Sequence, residues 1–186
     1  MNALDLLLTR ESAVKLVEPG PSAADLDQMF AAAVRAPDHG RLRPWQFVVI
    51  NEARRGRFGD LMADSLRRRD PEATDGALEK ERAKAFRAPC IVVVAARLQR
   101  EAQIRLIEQQ ASAAAAAQTI LLAAPALGYG AVWKTGAPAY DPAVKAALGV
   151  APDDDIMGFL YIGTQAGGSA PFPRPAAKAF VTEWAG

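Results

Sequence analysis

The chain has 186 residues, of which 51% are hydrophobic and 23% charged, and its 22 basic against 21 acidic side chains leave a net charge of +1. That length accommodates one domain with a substantial core, the composition excludes a disordered chain, and the near-neutral balance argues against nucleic acid as a partner. A single cysteine, Cys90, excludes an internal disulfide, and Asp5 stands where a secretory leader would be basic, so the cytoplasm is the default compartment.

Leu4, Leu7 and Leu8 recur at helical spacing and predict a short first helix, followed by a Pro/Gly-bounded connector from Lys15 to Pro21. Ser22 with Asp25 three residues on is a capping arrangement, and Leu26, Met29, Phe30, Ala33 and Val34 carry an amphipathic second helix that Pro37 ends. Arg35 to Phe47 then packs three further basic side chains (His39, Arg41, Arg43), two prolines and Trp45 into a loop, before a strand from Gln46 to Ile50. Glu52 to Arg69 reads as a charged helix whose last three arginines complement its dipole.

Asp70 to Lys80 is polar and short of apolar anchors, so a mobile loop or lid is expected there, with a brief helical stretch to Phe86. Cys90 precedes Ile91 to Ala96, an apolar run of the fully buried strand type. A long helix is expected from about Ala102 to Leu127; its alanine-rich second half carries Ser112, Gln118, Thr119 and Pro125, too weakly hydrophobic for a membrane span. Strands at Ala131–Trp133 and Met157–Ile162 flank a small helix at Asp141–Leu148, and Asp153-Asp154-Asp155 reads as an exposed turn. From Gly163 the chain is a tail, loose in its middle and apolar at Phe180, Val181 and Trp184, of the kind that docks on a partner subunit. These elements predict one α+β domain over residues 1–186, built on one central sheet.

Several chemistries are disfavoured. Gly128-Tyr129-Gly130 follows a helix and precedes a strand, the reverse of a dinucleotide-binding turn, and a helix-ending glycine explains it better. One histidine and one cysteine support no zinc site, and there is no G-x-S-x-G nucleophile elbow. What remains is three clusters of anion-binding and flat-ligand residues: Arg10 with Ser12, Arg35 through Arg43, and Trp133-Lys134-Thr135-Gly136. Guanidinium, hydroxyl and backbone N–H donors suit a terminal phosphate, and a strand end bearing Trp and Lys suits a planar ring with polar edges.

Arg10-Glu11-Ser12, then Ala36-Pro37-Asp38 with Pro44-Trp45-Gln46-Phe47-Val48-Val49, then an alanine-rich helix closing in Gly128 to Gly136, resemble the nitroreductase family of flavin enzymes in order and spacing from Ala3 to Tyr161. The resemblance implies an α+β fold with a mixed, mostly antiparallel sheet flanked by helices. It also implies a homodimer with FMN at the interface, tails (163–186) that wrap the partner, and a small-molecule acceptor. Carried over by position, Arg10, Glu11 and Ser12 would hold the FMN phosphate or ribityl chain, with Glu11 contributing backbone. Arg35 and His39 would reach flavin bound by the other subunit, Trp133, Lys134 and Thr135 would line the ring, and Ala123, Ala124, Pro125, Ala126, Leu127 and Gly128 would touch the nicotinamide donor. Hydride would pass from NADH or NADPH through flavin N5 to a nitroaromatic, quinone or enone by a ping-pong mechanism, with no side chain as acid or base. The alternative is a non-catalytic flavin protein for storage or sensing. Glu11 and Val14, and Leu42-Arg43 before Pro44, depart from the family pattern, and Lys15 is a candidate replacement for a missing cation.

Overall fold

Cys90 to Ala96 is seven residues without a polar side chain, and in the structure, a computed structural model describing residues 2–168 and 173–186, all seven are buried. A strand buried on both faces requires cover on both, and the rest of the chain supplies it. In order the elements are α1 (Ala3–Thr9), β1 (Leu16–Val17), α2 (Ala23–Ala33), β2 (Trp45–Ile50), α3 (Glu52–Arg69), α4 (Asp75–Ala83), β3 (Cys90–Ala96), α5 (Leu106–Ala126), β4 (Gly130–Lys134), α6 (Pro142–Ala147) and β5 (Asp155–Gln165). The strands form one antiparallel sheet in the order β1-β5-β3-β2, with β4 also paired to β5 and β2 at the outer edge. The α+β class expected from the sequence is the observed one.

Alternation along β3 divides the core. Ile91, Val93 and Ala95 face Phe58 and Met62 of α3 and Val144 of α6, whereas Val92 and Val94 face Met29 of α2 and Ala116 and Ile120 of α5. Alanines at 113, 116, 117 and 124, all fully buried, let α5 lie close against the sheet. The Ser22–Asp25 capping box forms as its spacing predicts, with the Asp25 N–H donating to Ser22 Oγ at 3.1 Å. At the other end of the long helix, Gly128 takes φ +89°, the Tyr129 N–H donates to Ala124 O at 2.9 Å and the Gly128 N–H to Pro125 O at 3.1 Å. This is the Schellman termination that a glycine after a helix permits.

Four expectations need correction. The proposed lid over 70–80 is largely helix: Thr74 Oγ1 accepts the Ala77 N–H at 3.3 Å to start α4, which packs on α3 and buries Leu78. The cap was legible and the single apolar anchor was too little to register as a period. The long helix starts at Leu106 rather than near Ala102, because Gln109, 2% exposed, folds residues 99–105 over itself, accepting from the Gln99 N–H at 2.8 Å and donating to Gln99 O and Ile104 O. Asp154 is buried, accepting the Leu98 N–H at 2.8 Å, so the triple aspartate is an anchored turn. β5 runs to Gln165 because Leu16 and Val17, read as connector, pair with Gln165 and Thr164. The tail therefore begins beyond Gln165, and residues 169–172 of it lie outside the described residues.

A bulge in β5 has a side-chain partner. Val94 pairs with Gly158 and Ala95 with Ile156, which leaves Met157 as the extra residue, and its carbonyl accepts Trp133 Nε1–H at 3.0 Å. The indole lies where a side chain on Gly158 would be, since a Cβ there would stand 2.0 Å from Nε1. Gly158→Ala must therefore displace Trp133 and orphan the Met157 carbonyl. A loss of about 3 kcal/mol in urea unfolding is expected, with Ala→Gly reversion restoring it; an unchanged midpoint would show that the indole has another place to go.

Candidate functional site

Strand alternation sorts the residues of β4. Ala131 and Trp133 face the α5 side of the sheet, and Val132 faces the α3 side. Lys134, one more step of two along the strand, shares that second face with Val132. The segment after α1 crosses the same face: the Ala13 N–H donates to Ala131 O at 3.0 Å, and β1 continues the contact onto β5. Residues far apart in sequence thereby wall one cleft of about 780 Å³, among them Ser12, Lys15, Phe86, Arg87, Lys134 and Tyr161. A smaller recess of about 250 Å³ shares Arg87, Lys134 and Tyr161 with it and runs on past Thr135 to Lys84 and Arg69.

The cleft is cationic with an apolar, aromatic wall. Among the described residues Lys15, Arg87 and Lys134 have no carboxylate within 4.0 Å, so their charge is directed to whatever enters. Phe86 is 55% exposed, with the Arg55 guanidinium 5.8 Å from its ring centroid. Tyr161, by contrast, is buried, and burial pushes its hydroxyl up to about 12, so it stays a neutral hydrogen-bond donor across the physiological range. Cys90, pushed up to about 11 by burial, is a strand residue with no nucleophilic character.

The residue pattern foreseen from the sequence is only partly gathered here. Ser12, Lys134 and Thr135 lie on the connected cleft and recess. Arg10 caps α1 just outside, its carbonyl accepting Arg174 Nη2 at 3.0 Å from the tail. Glu11 accepts the Gln165 amide at 3.3 Å. Trp133 is turned to the opposite face, its indole donating to the Met157 carbonyl. Residues 123–128 form the last turn and cap of α5, Ala124 fully buried, outside the cleft wall.

Arg35 is exposed just after α2, and His39 is exposed with Nδ1 2.6 Å from Glu108 Oε2 at the start of α5; neither lines the cleft. Their loop is held from inside by Asp38, whose carboxylate accepts the N–H groups of Leu42 (3.1 Å) and Arg43 (2.8 Å). Arg41 and Arg43 take positive φ, 56° and 51°, a conformation costing about 1 kcal/mol each that this carboxylate offsets.

The model of the nitroreductase family matches residues 9–164. The chain belongs to the nitroreductase family. Among curated relatives, it is 38% identical to the Escherichia coli (strain K12) protein named "Putative NAD(P)H nitroreductase YdjA", over 98% of this chain and 99% of that one, and 35% identical to a Haemophilus influenzae protein of similar name over 88% and 89%. Among solved structures, a nitroreductase-like family protein from Bacillus cereus matches at 22% identity with a TM-score of 0.85, covering 100% and 97% of the two chains. A mutant of the FMN and NADPH-dependent nitroreductase NfnB matches at 21% with a TM-score of 0.79, covering 100% of both.

Within this nitroreductase fold, Arg87 and Tyr161 were missed by sequence reasoning. Arg87 stands in Arg-Ala-Pro beside the buried strand β3, and Tyr161 is embedded in an apolar one, so neither belonged to a cluster; a basic residue directly before a fully buried strand was the available signal. An ultraviolet titration that subtracts Tyr161→Phe from the unmodified protein should stay flat until pH approaches about 12. A tyrosinate step near neutral pH would mean that the hydroxyl is not the neutral donor described.

Proposed function

We propose that the chain binds FMN in the 780 Å³ cleft and acts as an NAD(P)H-dependent flavin oxidoreductase on small, electron-poor acceptors such as nitroaromatics, quinones or enones. The observation that carries this reading is the meeting of Ser12 with Lys15, Arg87 and Lys134 on one wall, three cations and a hydroxyl facing open space beside an exposed aromatic ring. That donor set suits a phosphate and a ring with carbonyl edges, so the residues present fit FMN. When bound, FMN supplies hydride acceptance at N5 and delivery to the second substrate, in a ping-pong cycle. The chain's part is to hold the phosphate and ribityl through Arg10, the Glu11 backbone and Ser12, to place cations beside the ring through Lys15 and Lys134, and to line it with the backbone of Trp133 and with Thr135. Residues Ala123 to Gly128 are the proposed contact for the nicotinamide donor, NADH or NADPH. Relatives and structural neighbours named for NAD(P)H and for bound FMN support the same reading.

A second copy completes the site. α1 buries none of its residues and leaves Leu4, Leu7 and Leu8 between 56% and 72% exposed, and Ile107 at the start of α5 is 65% exposed. Such a cluster is an association surface rather than ordinary scatter. The outer edge of β2 is unpaired among the described residues, and beside it lies a groove of about 790 Å³ whose apolar wall is Ile50, Phe58, Leu61 and Leu148 and whose other side carries Arg54, Arg57, Asp60 and Asp64. Phe180, Val181 and Trp184, 69% to 93% exposed, are a fitting occupant when they belong to a partner's tail. In that homodimer Arg35 and His39 reach the flavin of the other subunit.

Purified protein should be yellow, and anaerobic NAD(P)H should bleach it; colourless protein that stays empty after FMN is added would refute the reading, and bound FMN that no nicotinamide donor reduces would reassign the chain to storage or sensing. Lys134→Ala should weaken FMN retention about tenfold, the worth of one charge-assisted hydrogen bond. Arg35→Ala should weaken both FMN retention and dimerisation, which equilibrium dialysis and sedimentation would read separately.

A further inference from the structure

The recess beside the cleft has a charge balance that the flavin reading does not use. Arg69 at the end of α3, Lys84 and Arg87 after α4, and Lys134 at the end of β4 all line it, against one carboxylate, Glu81. Glu81 is already paired with Lys84, so Arg69, Arg87 and Lys134 remain without a carboxylate within 4.0 Å among the described residues. Met62, Phe159 and Tyr161, each at most 4% exposed, give the same recess an apolar and aromatic floor. At about 250 Å³ it is smaller than the pockets of about 300 Å³ and upward that take drug-sized ligands. It holds a single ring and excludes the adenosine half of a dinucleotide.

We propose that this recess is the anchoring subsite for the acceptor and selects single-ring aromatic acids, their carboxylate or phosphate held by Arg69 and their ring on the Phe159–Tyr161 floor. The inference rests on the flavin reading, since it supposes that FMN occupies the larger cleft and that the acceptor reaches it from the recess. Arg69 lines the recess and not the larger cleft, so its role is separable from flavin binding. Cations as exposed as Arg69 are screened by salt, which makes the selectivity ionic-strength dependent.

The test uses FMN-loaded protein and two acceptors of closely similar shape, one anionic and one neutral, 4-nitrobenzoate and 4-nitrobenzamide, with benzoate and benzamide as non-reducible counterparts for calorimetric titration. The acid should show a KM and a Kd about fivefold below those of the amide at low salt, a ratio falling toward one at 0.5 M salt, on the order expected for partly screened charges. Arg69→Gln should raise both constants for the acids alone, leaving the amides, FMN retention and NAD(P)H bleaching unchanged; the exposed position makes misfolding no obstacle. Equal constants for acid and amide, or a preference that survives in Arg69→Gln, would overturn the subsite. Loss of yellow colour or of bleaching in the unmodified protein would instead strike the flavin reading, and titration with benzoate would still decide whether the recess takes the anion.

Discussion

Pairing along both edges of β5 is the constraint from which the rest of the molecule follows. β3 pairs with it from Asp155 to Ile162, β4 pairs from Phe159 to Gly163, and β1 pairs beyond them with Thr164 and Gln165. The segment after α1 meets β4 through the hydrogen bond from the Ala13 N–H to Ala131 O before it pairs with β5 as β1. Ser12 and Lys134 are 122 positions apart in the chain and reach the same cleft only because of this arrangement. The site is a property of strand order rather than of any one loop.

The same sheet separates chemistry from packing. On the α5 face, alanine spacing brings a helix close, and Trp133 is engaged there with the bulge at Met157. The α3 face is less evenly covered. α3 and α6 cover its centre, and the edge near β4 stays open, with cations at the rim and a neutral Tyr161 in the floor. Low polarity beneath and positive charge above is the environment in which a flat, partly anionic ligand loses least on leaving water.

Sequence reasoning reached the fold wherever a local signal coincided with the tertiary one. The Ser22–Asp25 cap, the buried strand after Cys90 and the Gly128 terminus all form as their residue patterns dictate. It failed where the deciding partner was distant. Leu16 and Val17 are a strand only because Gln165 and Thr164 stand opposite, and residues 99–105 are loop only because the Gln109 amide claims their backbone. For the site, Ser12 and Lys134 were legible as residue types beside turns. The facing of Trp133 was not, since a strand's two faces cannot be told apart until one knows what covers each. Arg87 was hidden for the opposite reason: an isolated arginine carries no pattern, and only the fold gives it neighbours.

The open edge of β2 has a further consequence. Trp45-Gln46-Phe47-Val48-Val49-Ile50 is six residues without a charge or a proline, rich in aromatic and β-branched side chains, and among the described residues nothing pairs with its outer side. Most proteins blunt such an edge with lysines or a bulge, whereas this one has only Gln46, whose amide reaches Gly149 O at 3.0 Å. A chain that has lost its last residues, or a nascent chain that has not yet met another, therefore carries a ready template for cross-β stacking. In the homodimer proposed above, the C-terminal segment would guard solubility as well as contact the partner, and selection on Phe180, Val181 and Trp184 would act through aggregation in the cell even where turnover is unaffected.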